Sequence, residues 1–323
     1  MRQMSHLIEI EGTWRQNRGY LNHEFLAIST MAHIDERNFR SHYYEKVGFK
    51  GVEGKKSLEI LLKEDPLDND KLTTFCHRFP VPGIYRPFVW KIVLGVLPIH
   101  QSIHQFVLKQ RREQYKDLHH ALKVMRKIQD DTDLAICHRM MCQLSAGKLP
   151  LEESEDFLHP DYSDFDAMAN SMIEIVDDEI DGYWLSVMFF KHMEKNKESI
   201  NKLNEKFEFY LKKEDSKLYN YLLERDLLSR LPYRLWFQQC FAVVFPVPCL
   251  ARVWDKVIGG ACAILIFTAV SVVITYERQL FNMKTPEHVI KFLEKIPQDN
   301  ADLIITKGIE LWEKYGSFLK PDV

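Results

Sequence analysis

The chain has 323 residues, enough for one large domain or two ordinary ones. Hydrophobic residues make up 46% and charged residues 28%, a mixture that is typical of a globular protein and argues against a disordered chain. The formal net charge is −3, so there is no basic surplus to indicate a nucleic-acid partner. The six cysteines form no CxxC pair, which argues against a zinc ribbon and is typical of reduced thiols in the cytosol.

The first residues differ in character from those that follow. Charges interrupt residues 1–20 where a secretory signal needs an apolar run. We therefore expect residues 1–34 to be a poorly ordered extension and residues 35–323 to form a single domain.

From residue 57 onward, helical patterns dominate the chain. Apolar positions at helical spacing, ended by proline, predict helices within 57–66, 71–80 and 85–98, and a long amphipathic helix over 102–128. A polar stretch with two prolines predicts an exposed loop over 145–164, followed by a helix over 165–180. Farther on, Thr285 before Pro286 is typical of a helix start. No Asn-Gly or Asp-Gly hairpin signal lies between alternating segments, so we predict an all-α fold.

One segment is apolar enough to raise the question of a membrane span. Residues 257–275 contain no charge, but Gly259 and Gly260 interrupt them near the start. The remaining helix would be about 22 Å long, short of the roughly 30 Å hydrocarbon core of a bilayer. We therefore predict a buried core helix.

Metal sites and cofactor sites find little support. His100 and His104 share a helix face, but no third ligand is spaced to help, so we interpret both as surface histidines. Asp131 begins a pattern like that of a calcium loop, yet Ala135 and Ile136 occupy the positions that require a ligand and a glycine. We expect neither a metal nor a cofactor.

Three short motifs combine tryptophan with charged residues. Taken singly, each is explained by ordinary packing, with the tryptophans in the core and the arginine paired to an internal acid. The motifs are Arg86-x-x-x-Trp90, Asp178-Glu179-x-x-x-Tyr183-Trp184 and Val253-Trp254-Asp255.

In their order and separation these motifs make the chain resemble the TBC domain, the fold of Rab GTPase-activating proteins. The resemblance covers roughly residues 36–316. It implies an all-helical TBC fold in which the motif residues have structural roles. Those residues are Arg86, Trp90, Asp178, Glu179, Trp184, Trp254 and Asp255.

The catalytic motifs of that family are incomplete in this sequence. TBC enzymes have an arginine finger in IxxDxxR; Ile128 and Asp131 match, but the seventh residue is Leu134. Their second catalytic residue is the glutamine of YxQG, and Asp164 stands at the nearest counterpart. No glutamine occurs between Gln143 and Gln238, whatever the placement.

The absence of the arginine and the glutamine has a chemical consequence. An arginine finger stabilises the charge that develops on phosphate in the transition state and accelerates hydrolysis by about 10³ to 10⁵. Leu134 offers neither charge nor donor, and the carboxylate of Asp164 would add negative charge. The expectation is a pseudo-GAP without catalytic residues. The alternative is an active Rab GAP that uses non-standard residues, for which Arg139 is the candidate, although Arg139 can equally be a packing or surface residue.

The resemblance extends to partners. Stretches such as RNFRSHYYEKVGF and KFLEKIPQD are similar to the TBC branch that assembles with hamartin and tuberin. This similarity implies binding to the carboxy-terminal coiled coil of hamartin, in a complex whose tuberin subunit restrains Rheb and mTOR signalling. A Rab GTPase is the other candidate partner. The implied location is the cytoplasm, with recruitment to lysosomal or vesicle membranes only through the complex.

The helix predicted over 165–180 has an apolar stripe at near-heptad spacing, formed by Phe165, Met168, Met172 and Ile175. Methionines suit an adaptable helical interface, so this stripe is a candidate partner surface. The alternative is that the helix is buried on all sides. Exposure of Met168 or Met172 would favour the interface, and burial would exclude it.

Overall fold

A computed structural model describes residues 54–150 and 160–315 of the chain. The predicted extension, residues 1–34, lies outside these ranges, so the proposed domain boundaries stay a prediction. Contacts within the chain divide it into two units, with the boundary after Ser57. The described part of the first unit, residues 54–57, is helical. The fold below is that of the second unit, from Leu58 onward.

Helices make up most of this unit, and its described residues contain no β-strand, which confirms the predicted all-α class. The helices are α1 (Asn69–Arg78), α2 (Arg86–Val93), α3 (His104–Val124), α4 (Leu134–Ser145), α5 (Pro160–Ile175), α6 (Glu179–Lys195), α7 (Lys197–Asn201), α8 (Leu203–Glu214), α9 (Ser216–Glu224), α10 (Val247–Ile258), α11 (Ile264–Thr275), α12 (Glu277–Asn282), α13 (Pro286–Glu294) and α14 (Ala301–Lys314).

Several helix boundaries follow from local chemistry. The start of α13 is confirmed, because the Thr285 hydroxyl accepts a hydrogen bond from His288 N at 3.4 Å ahead of Pro286. The loop prediction was wrong at its end, since α5 begins at Pro160, which suits the first turn of a helix. The helix predicted over 165–180 stops at Ile175, and Asp178 caps the next helix, α6.

His104 differs from its interpretation as a surface residue. Its side chain is buried, and its Nε2 lies 2.7 Å from the Pro98 carbonyl oxygen. The ring therefore has a structural role at the start of α3, where the spacing to His100 suggested a shared exposed face.

The predicted core helix is α11. Its residues from Ile264 to Val273 are all buried, and it packs closely against α14. A Cβ built on Gly308 of α14 would lie 3.1 Å from the Cα of Thr268, so a larger residue would require the two helices to shift apart slightly. Gly260, with φ of +94°, ends the turn after α10. Among the described residues no helix combines the length and apolarity needed to cross a membrane.

The carboxylate of Asp255, fully buried in α10, joins α2 to α10. Its Oδ1 accepts hydrogen bonds from Arg86 Nε at 2.9 Å and Trp90 Nε1 at 3.0 Å. Its Oδ2 accepts from Val81 N and Arg86 Nη2, both at 3.1 Å. Four donors thus satisfy one buried acid, as burial of a charge requires. The interpretation that Arg86 pairs with an internal acid is confirmed.

Lys256 and Trp254, the residues on either side of Asp255, extend this junction. Lys256 is buried, and its ammonium donates to the carbonyl oxygens of Cys76 at 2.7 Å and Phe79 at 3.0 Å, at the carboxyl end of α1. Burial lowers the pKa of Lys256 to about 8, so the ammonium remains the main form at neutral pH. Trp254 is buried beside Phe189, with ring centroids 4.8 Å apart. Residues 254–256 therefore hold three helices against α10.

A buried histidine stands inside an aromatic cluster. His138 of α4 is fully buried, and its ring meets those of Tyr115 and Tyr183 edge-on at 6.1 and 5.4 Å between centroids. Neither ring nitrogen has a hydrogen-bond partner among the described residues. Burial lowers the pKa of His138 to about 4.

We expect Asp255→Ala to lower the free energy of unfolding by about 3–5 kcal/mol, because it leaves the guanidinium of Arg86 and two other donors without their acceptor. Urea denaturation of the full chain measures the effect. The control is Glu287→Ala, which removes an exposed ion pair to Arg230 and should change stability little. Equal effects of the two substitutions would contradict the role given to Asp255.

We expect His138 to make the protein less stable as pH falls from about 6.5 to 4. In this window the unfolded histidine binds a proton and the folded one does not, so the loss reaches about 3 kcal/mol at the acid end. His138→Phe keeps an aromatic ring and should flatten this part of the profile of unfolding free energy against pH. His288→Phe, at an exposed histidine, is the control; a profile of His138→Phe that matched it would refute the prediction.

Candidate functional site

The loop between α3 and α4 contains Ile128 and Asp131, which the sequence resemblance aligns with the arginine-finger motif. Ile128 is buried and Asp131 is exposed. The loop is closed by an ion pair of 2.7 Å between Lys123 Nζ and Asp130, and by a hydrogen bond of 2.8 Å from Gln129 N to the Thr132 hydroxyl. These residues border an open concavity of about 480 Å³. Contacts between residues of this segment thus hold the loop closed.

Leu134 is the first residue of α4, directly after the helix cap. The Asp133 carboxylate accepts hydrogen bonds from Ala135 N at 3.0 Å and Ile136 N at 3.3 Å. Two backbone donors at this helix end are therefore used within the chain, and the half-buried leucine adds none. The three acids of the loop differ in their contacts: Asp130 pairs with Lys123, Asp133 caps α4, and Asp131 is exposed.

Arg139, the candidate for a replacement finger, lies inside the protein. It is buried in α4, and its Nε donates to the Asp166 carboxylate of α5 at 2.9 Å. Its guanidinium also lies 5.9 Å from the centre of the Tyr162 ring. Burial raises the pKa of Asp166 although Arg139 opposes the shift. Of its two proposed roles, packing residue and catalyst, the contacts favour packing.

Asp164, the nearest counterpart of the family's glutamine in the sequence analysis, is buried and joins two elements of the fold. Its Oδ1 accepts hydrogen bonds from Arg234 Nε at 2.9 Å and from Gln239 Nε2 at 2.8 Å. Arg234 also donates to the Ser163 hydroxyl. These contacts join α5 to the single π-helical turn Arg234–Gln238.

Sequence reasoning missed Arg234 and Gln239 because they lie 70 and 75 residues from Asp164. The available signal was general: an acid on an apolar helix face needs a cation or several donors. Nothing in the local sequence says which of the many arginines would supply it.

The acidic-aromatic motif fastens the start of α6. Asp178 caps it by accepting from Asp181 N at 2.8 Å. Glu179 accepts a hydrogen bond from the Tyr115 hydroxyl of α3. Trp184 Nε1 donates to the Arg111 carbonyl oxygen at 3.2 Å, and the Arg111 guanidinium lies 4.2 Å from the tryptophan ring centre. These contacts join α6 to α3.

The predicted partner stripe on α5 is wrong. Phe165, Met168 and Met172 are 2%, 1% and 0% exposed, and Ile175 is half-buried against the same core. The alternative, a helix buried by its own domain, explains the stripe: its apolar width serves packing against α4 and α6. A partner helix therefore cannot reach Phe165, Met168 or Met172.

Comparison with known proteins places this geometry in a family. Residues 165–281 match the family model described as the Rab-GTPase-TBC domain. The chain is 48% identical over 286 residues to TBC1 domain family member 7 of Homo sapiens, covering 88% of this chain and 97% of that protein. It is 47% identical over 290 residues to the protein of the same name from Danio rerio, with the same coverage.

Among solved structures, the chain resembles the crystal structure of the Ypt/Rab-GAP domain of Gyp1p, with a TM-score of 0.55 and 16% identity. The match covers 82% of this chain and 99% of that domain, and it supports the fold alone. The helical architecture, the family model and the identity to curated relatives over most of the chain agree. The chain therefore belongs to the TBC-domain family.

Proposed function

We propose that this chain is a non-catalytic TBC-domain subunit, which acts by binding other proteins and does not itself accelerate GTP hydrolysis. The observation on which the proposal rests is the state of the two positions where the family has its catalytic residues. Leu134 opens α4 without a donor side chain, and Asp164 is held by Arg234 and Gln239.

The physical argument concerns charge. Acceleration of phosphoryl transfer needs a cation that can reach the transferred phosphate and a group that orients the attacking water. A leucine supplies no cation. An aspartate whose carboxylate already accepts from a guanidinium and a carboxamide is not positioned to orient water, and it would repel phosphate.

For the partner, we propose the carboxy-terminal coiled coil of hamartin, within a complex in which tuberin supplies the GTPase-activating function toward Rheb and thereby restrains mTOR signalling. Support comes from the resemblance of the sequence to the branch that assembles with these proteins, and from its similarity to TBC1 domain family member 7 along 88% of the chain. Burial of the α5 stripe means that the coiled coil contacts another surface.

The alternative, an active Rab GAP with a non-standard arginine, requires Arg139 to leave its site. That residue would have to give up an ion pair of 2.9 Å and expose a side chain that is now 9% exposed. Breaking this partly buried pair costs about 2–3 kcal/mol, which a GTPase interface would have to offset. The contacts of Arg139 therefore favour the non-catalytic proposal.

We expect the purified full chain to leave single-turnover GTP hydrolysis by Rheb and by a panel of Rabs unchanged. A TBC domain that has both catalytic residues serves as the positive control on the same Rabs. Acceleration of any GTPase by about a hundredfold, a size that only a functional finger explains, would overturn the proposal.

We also expect the full chain to co-elute with the carboxy-terminal coiled coil of hamartin in size-exclusion chromatography. Phe165→Leu should leave this binding intact, because Phe165 belongs to the core of this chain. If the coiled coil failed to bind, the partner assignment would be wrong even with hydrolysis unchanged.

We expect Arg139→Met to lower the free energy of unfolding by about 2–3 kcal/mol, because the half-buried Asp166 loses its cation. In the double variant Arg139→Met with Asp166→Asn, part of this loss should be recovered, since no charge is then left unpaired. Chemical denaturation of the unaltered chain, the two single variants Arg139→Met and Asp166→Asn, and the double variant measures the coupling. A stable Arg139→Met variant would contradict the packing role.

A further inference from the structure

One flank of α3 is lined with cations. Lys109, Arg112, Lys116 and Lys123 are all exposed, and their spacings of three, four and seven residues place them on one stripe of the helix. The stripe is about 21 Å long at 1.5 Å per residue. It stands on a chain whose net charge is −3, so this positive surface is a local feature.

The middle of this stripe is not neutralised by the protein. Lys109 lies 3.9 Å from Glu113, and Lys123 pairs with Asp130 at 2.7 Å. Arg112 has no acidic partner among the described residues, and the same is true of Lys116. Two adjacent, uncompensated cations on one helix are a surface to which an anionic ligand is attracted.

One exposed apolar side chain lies beyond each end of the stripe along the helix. Phe106 and Val124 are 67% and 68% exposed. They are 18 residues apart, which is five turns of helix, so both point in the same direction with about 27 Å between them. That direction is on the side of the stripe away from the core. Two exposed acids lie near the same line: Glu113, which is 3.9 Å from Lys109, and Asp117, which follows Lys116 in the sequence.

A flat anionic surface fits this arrangement. Basic side chains attract the headgroups of anionic lipids, and apolar side chains on the same face insert at the boundary with the acyl chains. A peptide ligand would need its apolar contacts close together, whereas here single apolar side chains stand at the two ends of a straight helix. We propose that α3 is a direct docking surface for membranes that contain anionic phospholipid.

This inference does not depend on the proposed function. It predicts direct contact of the chain with the membrane, where the sequence resemblance implied contact only through a complex.

The test is sedimentation of the full chain with vesicles of phosphatidylcholine, with and without phosphatidylserine. We expect binding that requires phosphatidylserine and weakens as salt rises. The variant Lys109→Gln/Arg112→Gln/Lys116→Gln should bind roughly a hundredfold more weakly, since each cation near an anionic surface strengthens binding by roughly fivefold. Phe106→Ser should also weaken binding.

The matched control is Lys284→Gln/Lys291→Gln/Lys295→Gln, which removes the same charge from exposed positions elsewhere. It should bind as the unaltered chain does, and equal thermal melts should show that both triple variants fold. Absence of binding to phosphatidylserine vesicles, or an equal loss in the two variants, would overturn the proposal. Binding to soluble polyglutamate but not to vesicles would also overturn it, and would identify an acidic protein as the ligand.

Discussion

The packing of the amino-terminal helices against α10 depends on the buried carboxylate of Asp255. An isolated carboxylate would be too costly to bury, so the site is stable only with its four donors in place. Two come from Arg86, and the others from Trp90 and Val81. This requirement fixes the position of α2 relative to α10. Lys256 then fixes α1 through two of its last carbonyl oxygens.

These contacts hold the TBC fold together without involving Leu134 or Asp164. Arg86, Trp90 and Asp255 satisfy one another's donors and acceptors, so the loss of any one of them would leave a buried polar group without its partner. Leu134, the first residue of α4, takes no part in the Asp255 junction. Asp164 belongs to a separate buried contact, in which Arg234 neutralises its charge.

The cations of α3 differ from the buried charges described above, because not all of them form ion pairs. Elsewhere in the protein, lysines and arginines on interior faces have partners, as Lys91 does with Asp181 at 2.6 Å. On the outer flank of α3, Arg112 and Lys116 have no acidic partner within the described part of the chain, and as exposed, hydrated cations they need none. The proposed membrane contact would use these two charges.

By itself the sequence determined the helical class, the start of α13 at Thr285 and the burial of α11, because these depend on local periodicity and on capping chemistry. It also indicated an internal acid for Arg86, though not which one. Only the tertiary structure decided that the stripe at Met168 and Met172 is core, that Arg139 is paired, and that Asp164 meets Arg234. The reason is physical: an apolar helix face or a buried charge requires a partner, but the partner comes from a distant part of the chain, and local sequence holds no record of that distance.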